Sequence, residues 1–508
     1  MAIHDDAELL QPQVAGGQDP RRWWALAVIV LAQLIVVLDT SIMTISLPFA
    51  QSDLNISDGD KQWVFTAYTL VFGGLLLLGG RLADYMGRRT VFIAGLVGFA
   101  IASAGAGLAQ SGWELFAGRA LQGAFAALLA PAALALVSTT FSDPGERAKA
   151  FGAYAGVSGA GAAIGLIAGG VLTEYANWRW CLLVNTPIAI LAAVAAAVLV
   201  AKDIPAPREG GYDVPGAVTA TLGLVAIVYG FSRAAESGWG AGSTIALFAV
   251  GAVLLAAFVA IESRVSNPLL PLRIPGEINR GGAFLAGLLV PAAMLGMFIF
   301  LSYYFQIQLG YSPLKAGLAL LPLAGGILIS AGVTSGVLPK SGPRPVMLAG
   351  ALLGTVGLIY LAQLDMGADY WANLFPPMFL IALGMGPLFV GMQATALHRV
   401  EEKDLGVASA LLAAGNQIGG AIGTALLTTI AVRSATQYAR AHSDLTEIAT
   451  RAAIHSYDVV FYWGAGFFVA VGLVAALMLR DNKSMIAPAA DTEEQLSSNT
   501  EGSVIASI

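Results

Sequence analysis

The chain is predicted to be an all-α integral membrane protein that crosses the bilayer fourteen times. Three observations carry this. Of its 508 residues 57% are hydrophobic and 11% charged, whereas a soluble domain carries about a quarter charged residues. The mean hydropathy is +0.74. The apolar residues arrive in blocks of about twenty, the length a helix needs to cross a bilayer core. Runs this long do not alternate as barrel strands do, so helices are expected throughout.

In chain order the spans are expected at 23–48, 62–80, 91–110, 114–138, 150–173, 180–201, 214–232, 243–262, 283–306, 316–337, 346–364, 372–398, 407–432 and 457–480. The edges of 114–138 and 214–232 are the softest. The tails 1–22 and 481–508 are polar and expected to lack fixed structure. The first apolar block is too long for a signal-peptide core, so no cleavable leader is expected. A long polar loop is expected at 433–456.

Lysine and arginine set the orientation. With the N-terminus in the cytoplasm, inner segments hold eighteen of the 26, including Arg21, Arg22, Arg81, Arg88, Arg89, Arg147, Lys149, Lys340 and Arg344. Outer segments hold seven, among them Arg179, Lys315 and Arg433, and Arg119 remains inside a span. Both termini are therefore expected in the cytoplasm, in a multi-pass protein of the cell membrane.

Several classes are disfavoured. One cysteine, Cys181, permits no intrachain disulfide. The four histidines, His4, His398, His442 and His455, lack metal-ligand spacing. No phosphate loop or catalytic triad is found, so neither ATP-driven transport nor an enzyme is expected, and no cofactor or metal. The net charge of −6 does not suggest a nucleic-acid partner, and no obligate protein partner is evident.

A weak internal repeat follows the second and tenth spans. Gly80-Arg81-Leu82-Ala83-Asp84-Tyr85-Met86-Gly87-Arg88-Arg89 and Gly336-Val337-Leu338-Pro339-Lys340-Ser341-Gly342-Pro343-Arg344 share Gly-x-Leu, then a glycine and an arginine. With 202–262 as an inserted pair of helices, these loops fall at equivalent places in two six-helix halves, 23–201 and 283–480. Internal repeats of this kind mark secondary transporters.

Asp39 carries the most information. At a rise of 1.5 Å per residue it lies about 24 Å along the first helix from Trp23 and about 13 Å short of Pro48. An acid at mid-membrane is costly and is expected to face a cavity or a partner. Asp39 and Ser46 share a side of the helix, with Gln33, Thr40 and Thr44 adjacent. The expected role is a proton site; the alternative is a structural hydrogen bond. Arg119, heading a face with Gln122 and Gly123, is expected to be the charge partner of an acid or a substrate contact; the alternative is a structural arginine. Burial favours a neutral acid and a nearby arginine favours the carboxylate, so proton and substrate are expected to compete for one site.

In the loop after the second span, Asp84 is expected at a neighbouring helix N-terminus, where the helix dipole favours negative charge, and Arg88 and Arg89 to pair across an interface. In the fifth span Gly161, Gly165, Gly169 and Gly170 recur near every fourth residue, so a neighbouring helix can approach closely. Tyr303, Gln306, Gln393, Asn416 and Gln417, with Gln33, Thr40 and Gln122, are candidate cavity-lining groups; each is equally a candidate for helix-to-helix hydrogen bonding.

These residues resemble the major facilitator superfamily over about 23–480, specifically its fourteen-helix drug:proton antiporters. Leu38-Asp39-Thr40-Ser41 with Leu47-Pro48 is similar to the first-helix motif. Gly80 to Arg89 matches the superfamily's loop motif, which is highly specific, and Leu115-x-x-x-Arg119-x-x-Gln122-Gly123 the fourth-helix motif. Asn177-Trp178-Arg179-Trp180 with Asn185-x-Pro187, and Asn267-Pro268-Leu269-Leu270-Pro271-Leu272, resemble two connections of the fourteen-helix branch. Leu166 departs from the pattern, standing where the fifth-helix antiporter motif has proline. The resemblance implies the major facilitator fold, two six-helix bundles plus two inserted helices, and export of drug-like molecules driven by inward proton flow. A substrate:proton symporter or facilitator, and a non-transporting membrane receptor, stay open as alternatives.

Overall fold

The computed structural model describes residues 21–480 apart from 57–59, 61–62, 142, 203–212, 267 and 443–446. Both terminal tails, Asn267 and the side chains of Pro48 and Leu166 lie outside the described residues. The long helices are α1 Arg22–Asp53, α2 Trp63–Met86, α3 Arg88–Gly107, α4 Gly112–Thr140, α5 Pro144–Tyr175 and α6 Trp180–Leu199. They continue as α7 Val214–Ser237, α8 Gly242–Glu262, α9 Ile278–Tyr303, α10 Leu321–Ser341, α11 Pro343–Leu361, α12 Phe375–Ala396, α13 Leu405–Ala441 and α14 Ile448–Met478.

Among the described residues, 13 helices are long and apolar enough to cross a membrane. Glycine-rich α5 is not among them, but its 32 residues run beside α1 from one end to the other. Arg22 pairs with Glu146 at 2.6 Å near their starts, and Gly161, Gly165 and Gly169 face Val37, Ser41 and Ile42 in turn. Where α1 crosses, α5 crosses with it, and the crossings number fourteen as the sequence predicts.

Helices α1 to α6 pack mainly on one another, as do α9 to α14. The two groups meet along two seams, α5 against α10 and α2 against α13. The repeated loops have the same local geometry. Gly87 (φ 89°) and Gly342 (φ 80°) start α3 and α11 in a left-handed conformation that glycine adopts without steric cost. Two residues on, Arg89 donates to the Ala197 carbonyl near the end of α6, and Arg344 donates to the Ala476 carbonyl near the end of α14 at 3.0 Å. Arg89 therefore ties α3 to α6 inside one group.

The expected 433–456 loop is mostly helix, because α13 runs to Ala441 and α14 starts at Ile448. The stretch 433–441 has no glycine or proline and is built from tolerable helix formers. Reading spans by hydrophobicity ends a helix where it leaves the apolar layer, not where it stops.

Close helix crossings depend on glycines with no room for a side chain. A Cβ at Gly419 of α13 would lie 1.9 Å from the Leu288 carbonyl oxygen of α9, and one at Gly423 would lie 2.1 Å from that of Ala292. Gly419→Ala should destabilise the protein by about 1–3 kcal/mol through overpacking, read as a lower melting temperature in detergent. An unshifted transition would show that α9 and α13 do not approach this closely.

Candidate functional site

The site begins with one carboxylate. α5 covers the Val37, Leu38, Ser41 and Ile42 side of α1, which leaves Asp39 directed at α4 and α6. Asp39 is fully buried, as are Arg119 and Gln122 of α4. Arg119 Nη1 donates to Asp39 Oδ2. Gln122 Nε2 donates to Oδ1 at 2.9 Å, and Asn185 Nδ2 of α6 donates to the same oxygen at 2.8 Å. The donors are held in turn: Gln122 also donates to Ser103 Oγ of α3 at 2.8 Å and accepts from Arg119 at 2.9 Å. Arg119 Nε donates to the Val64 carbonyl of α2 at 3.0 Å, and its guanidinium lies 4.5 Å from the Tyr68 ring centroid. A carboxylate placed here without such partners would be very costly. The chain answers with three donors drawn from two helices.

The network is not open to the main cavity. A cavity of about 600 Å³ lies between the two helix groups, within the range of small-molecule sites. Gln33, Thr40, Gln393, Asn416 and Gln417 line it. Asp39, Arg119 and Gln122 do not; they sit behind Thr40 and Tyr68, both of which do. The polar side of α1 is thus divided, with Gln33 and Thr40 on the cavity and Asp39 and Ser46 inside the bundle. Tyr154 of α5 donates to Gln33 Oε1 at 2.8 Å. Gln393 Oε1 and Asn416 Oδ1 are buried without a hydrogen-bond partner among the described residues. Two orphaned acceptors are an unusual burden for a buried surface, and they suit a ligand that brings donors. No acidic or basic side chain is among the described lining residues.

Besides Gln122, two more expected lining residues fall elsewhere. Tyr303 is 47% exposed on the outer surface, and Gln306 sits in the π-helical turn Tyr304–Gln308 with its amide donating to Ser302 Oγ at 2.7 Å. That turn adds a residue to the helical repeat and rotates everything after it, which a 3.6-residue wheel does not anticipate. Conversely, the sequence reasoning did not assign Asn185, Tyr68, Tyr154 or Ser103 to the site. The Asn185-x-Pro187 pattern was the available signal for the first; nothing distinguished the others.

A second constellation closes one end of the cavity. Asp84 at the end of α2 accepts the backbone N–H groups of Gly406 at 2.9 Å and Val407 at 3.2 Å, at the N-terminus of α13. Arg88 lies 3.6 Å from Asp84 and donates to the Glu402 carbonyl. Arg81 pairs with Asp404 at 3.1 Å and donates to the Pro268 carbonyl at 2.5 Å, while Arg273 reaches Asp404 at 2.6 Å. Contact this close requires glycine on both sides, since a Cβ at Gly80 or Gly406 would lie 2.4 or 2.3 Å from the other's carbonyl oxygen. Hydrogen bonding by Lys403, with Arg273 beside it, holds Glu401 below its ordinary range. Burial, reinforced by Arg399 and Arg147, pushes His398 below its ordinary range.

Of the fifth-helix glycines, Gly161, Gly165 and Gly169 face α1, and Gly170 faces Leu314 of the other helix group. The expected close approach is therefore mainly an α1–α5 contact, which keeps Asp39 turned toward its donors.

Two helix groups facing each other across a cavity are the architecture expected of a membrane transporter. The chain belongs to the Major Facilitator Superfamily, whose profile matches residues 29–424 and 340–505. It is 44% identical to the puromycin resistance protein pur8 of Streptomyces alboniger over 91% of this chain and 92% of that one. It is 39% identical to the cephamycin export protein CmcT of Amycolatopsis lactamdurans, over 80% of this chain and 84% of the other. Among solved structures it shares its fold with the human organic anion transporter MFSD10, with a TM-score of 0.62 at 15% identity, covering 90% of this chain and 100% of that one.

Asp84→Asn retains one acceptor and loses the charge. Hydrogen bonds to a charged group are each worth about 1.5–3 kcal/mol, so the latched state should lose several-fold in population. Since Cys181 is buried and the sole cysteine, a cysteine at Ala410, which sits against Gly80, can report on the latch. Maleimide should label it faster in the Asp84→Asn background, with turnover slowed and substrate affinity nearly unchanged. A large affinity loss at normal turnover would mean that Asp84 binds substrate instead.

Proposed function

We propose that the protein exports small amphipathic molecules, drug- or antibiotic-like, in exchange for protons by alternating access, with both termini in the cytoplasm. The observation that carries this is the separation of two sites by a thin wall. An uncharged cavity sized for a small molecule lies on one side of Thr40 and Tyr68, and the buried Asp39–Arg119 pair on the other. The roles that pur8 and CmcT are named for, puromycin resistance and cephamycin export, support the same direction of transport.

The chemistry follows from the donors. As a carboxylate, Asp39 uses Arg119, Gln122 and Asn185. A proton on Asp39 adds a donor where three already converge, cancels the charge facing Arg119 and frees the guanidinium stacked on Tyr68. Tyr68 also lines the cavity, so protonation and substrate occupancy act on one side chain. Such coupling requires proton and substrate to favour different conformations, not merely to bind. Substrates are neutral or monocationic, because an unpaired buried charge is very costly: the one carboxylate near the cavity, Asp39 behind Thr40 and Tyr68, can answer a single cation, and none is among the described lining residues to meet a second. Gln393 and Asn416 accept from their hydroxyl or amine groups.

In proteoliposomes with an imposed pH gradient, Asp39→Asn should abolish gradient-driven export while substrate binding persists. Asn185→Ala, which removes one donor from the carboxylate, should cost about 1–3 kcal/mol of stability and slow transport. Export by Asp39→Asn at the wild-type rate would refute the proton role, and uptake along with the proton would make the protein a symporter. A divalent cationic dye should be exported poorly beside a monovalent one.

Orientation has its own test. A cysteine at Thr436 should label from outside intact cells and one at Ser341 should not; the reverse pattern would invert the topology.

A further inference from the structure

The inserted hairpin α7–α8 is not an appendage. At the latch end α2 and α13 touch backbone to backbone, at Gly80 and Gly406. Toward the other end they diverge, and Thr66 and Thr69 of α2 and Thr424 of α13 all face the cavity. Two diverging helices leave a slot between cavity and bilayer, and α7 fills it. Val225 and Thr221 of α7 lie on Gly74 of α2, where a Cβ would be 2.6 and 3.4 Å from them. Val228 and Gln417 of α13 both approach Gly73. At the far end Trp239, just beyond α7, donates to Thr429 Oγ1 of α13 at 2.9 Å. α8 takes no part in the cavity and is the least buried of the candidate spans, at 17%. The two inserted helices therefore divide their work, α7 as wall and α8 as lipid-facing support.

Phe231 of α7 lines the cavity and is held from behind. Its ring meets Phe248 of α8 edge-on at 4.9 Å, and Trp239 at 6.0 Å. Trp239 in turn stacks on Phe248 at 6.0 Å. A ring braced by two others presents a fixed aromatic surface at little entropic cost on binding. Resting on the transport function proposed above, we infer that Phe231 is a specificity-determining residue: it selects substrates that carry an aromatic ring, through a wall that belongs to neither six-helix group. Ring pairs are worth about 0.5–1.5 kcal/mol beyond the area they bury, so the selection is several-fold and bears on aromatic ligands alone.

Two monocations of equal charge isolate the ring: tetraphenylphosphonium, which is aromatic, and tetrabutylammonium, which is not. Binding to purified full-length protein is measured by calorimetry, and transport separately in proteoliposomes. Wild type should prefer tetraphenylphosphonium. Phe231→Leu, which keeps apolar bulk, should weaken it by about 2- to 10-fold and change tetrabutylammonium less than twofold. Phe231→Tyr should retain the preference, and Val253→Ala on the exposed face of α8 should leave both affinities unchanged. Equal losses for both cations, no loss for either, or no binding of tetraphenylphosphonium by wild type would each overturn the assignment. Selective binding without gradient-driven movement would spare it and refute the transport reading instead.

Discussion

The constraint on which the rest depends is the solvation of one carboxylate in a place without water. Asp39 is acceptable at mid-membrane because Arg119, Gln122 and Asn185 converge on it, and that convergence fixes the relative positions of α1, α4 and α6. Arg119 extends the constraint to α2 through the Val64 carbonyl, and Gln122 extends it to α3 through Ser103. Five of the six helices in this group are thereby indexed to a single buried charge. The sixth, α5, contributes by having no side chains where α1 must lie against it.

Charge is concentrated where it can be answered and removed where a ligand must sit. The described cavity lining carries hydroxyls, amides and rings but no ionised group, so a substrate pays little desolvation on either party. The field of the Asp39–Arg119 pair is separated from it by one hydroxyl and one phenol ring. In a low-dielectric interior that distance does not isolate them. A change in the charge of Asp39 would alter the environment of Tyr68 directly.

The bilayer made the fold readable. Its thickness fixes the span length and its polarity forbids other secondary structure, so the number and order of crossings follow from composition. What lies beyond the apolar layer did not follow: the helical ends of α13 and α14 read as a loop because only their buried parts are apolar. At the site, Asp39 and Arg119 were legible as charges with nowhere to go, and Asp84 from its place between glycines. Asn185, Tyr68 and Tyr154 were not, since an amide or phenol in a membrane helix is common and its partner lies far along the chain, 146 residues away between Asn185 and Asp39. Gln306 failed for a local reason, the π-turn after α9 in which it sits, whereas Tyr303 precedes that turn and faces outward. The wall formed by α7 was invisible because nothing in its apolar sequence separates a cavity face from a lipid face.

The repeated loops show how two similar halves acquire unlike seams. Both copies keep the left-handed glycine and the arginine that reaches across to the last helix of its own group. Only the first keeps an acid; where Asp84 stands, the second has Pro339 and Lys340. The α2–α13 seam is accordingly fastened by a carboxylate on a helix N-terminus, an interaction lost as soon as the two groups separate by a few ångströms. The α5–α10 seam has close glycine packing instead, with Gly152 on Ala331 and Ser335 and Gly156 on Leu328. Dispersion contacts of that kind are summed over many atoms and decline gradually as helices slide or tilt. With an abrupt, directional bond on one seam and a graded, non-directional contact on the other, a small separation of the two groups would cost the first seam its carboxylate bond while the second stayed in contact.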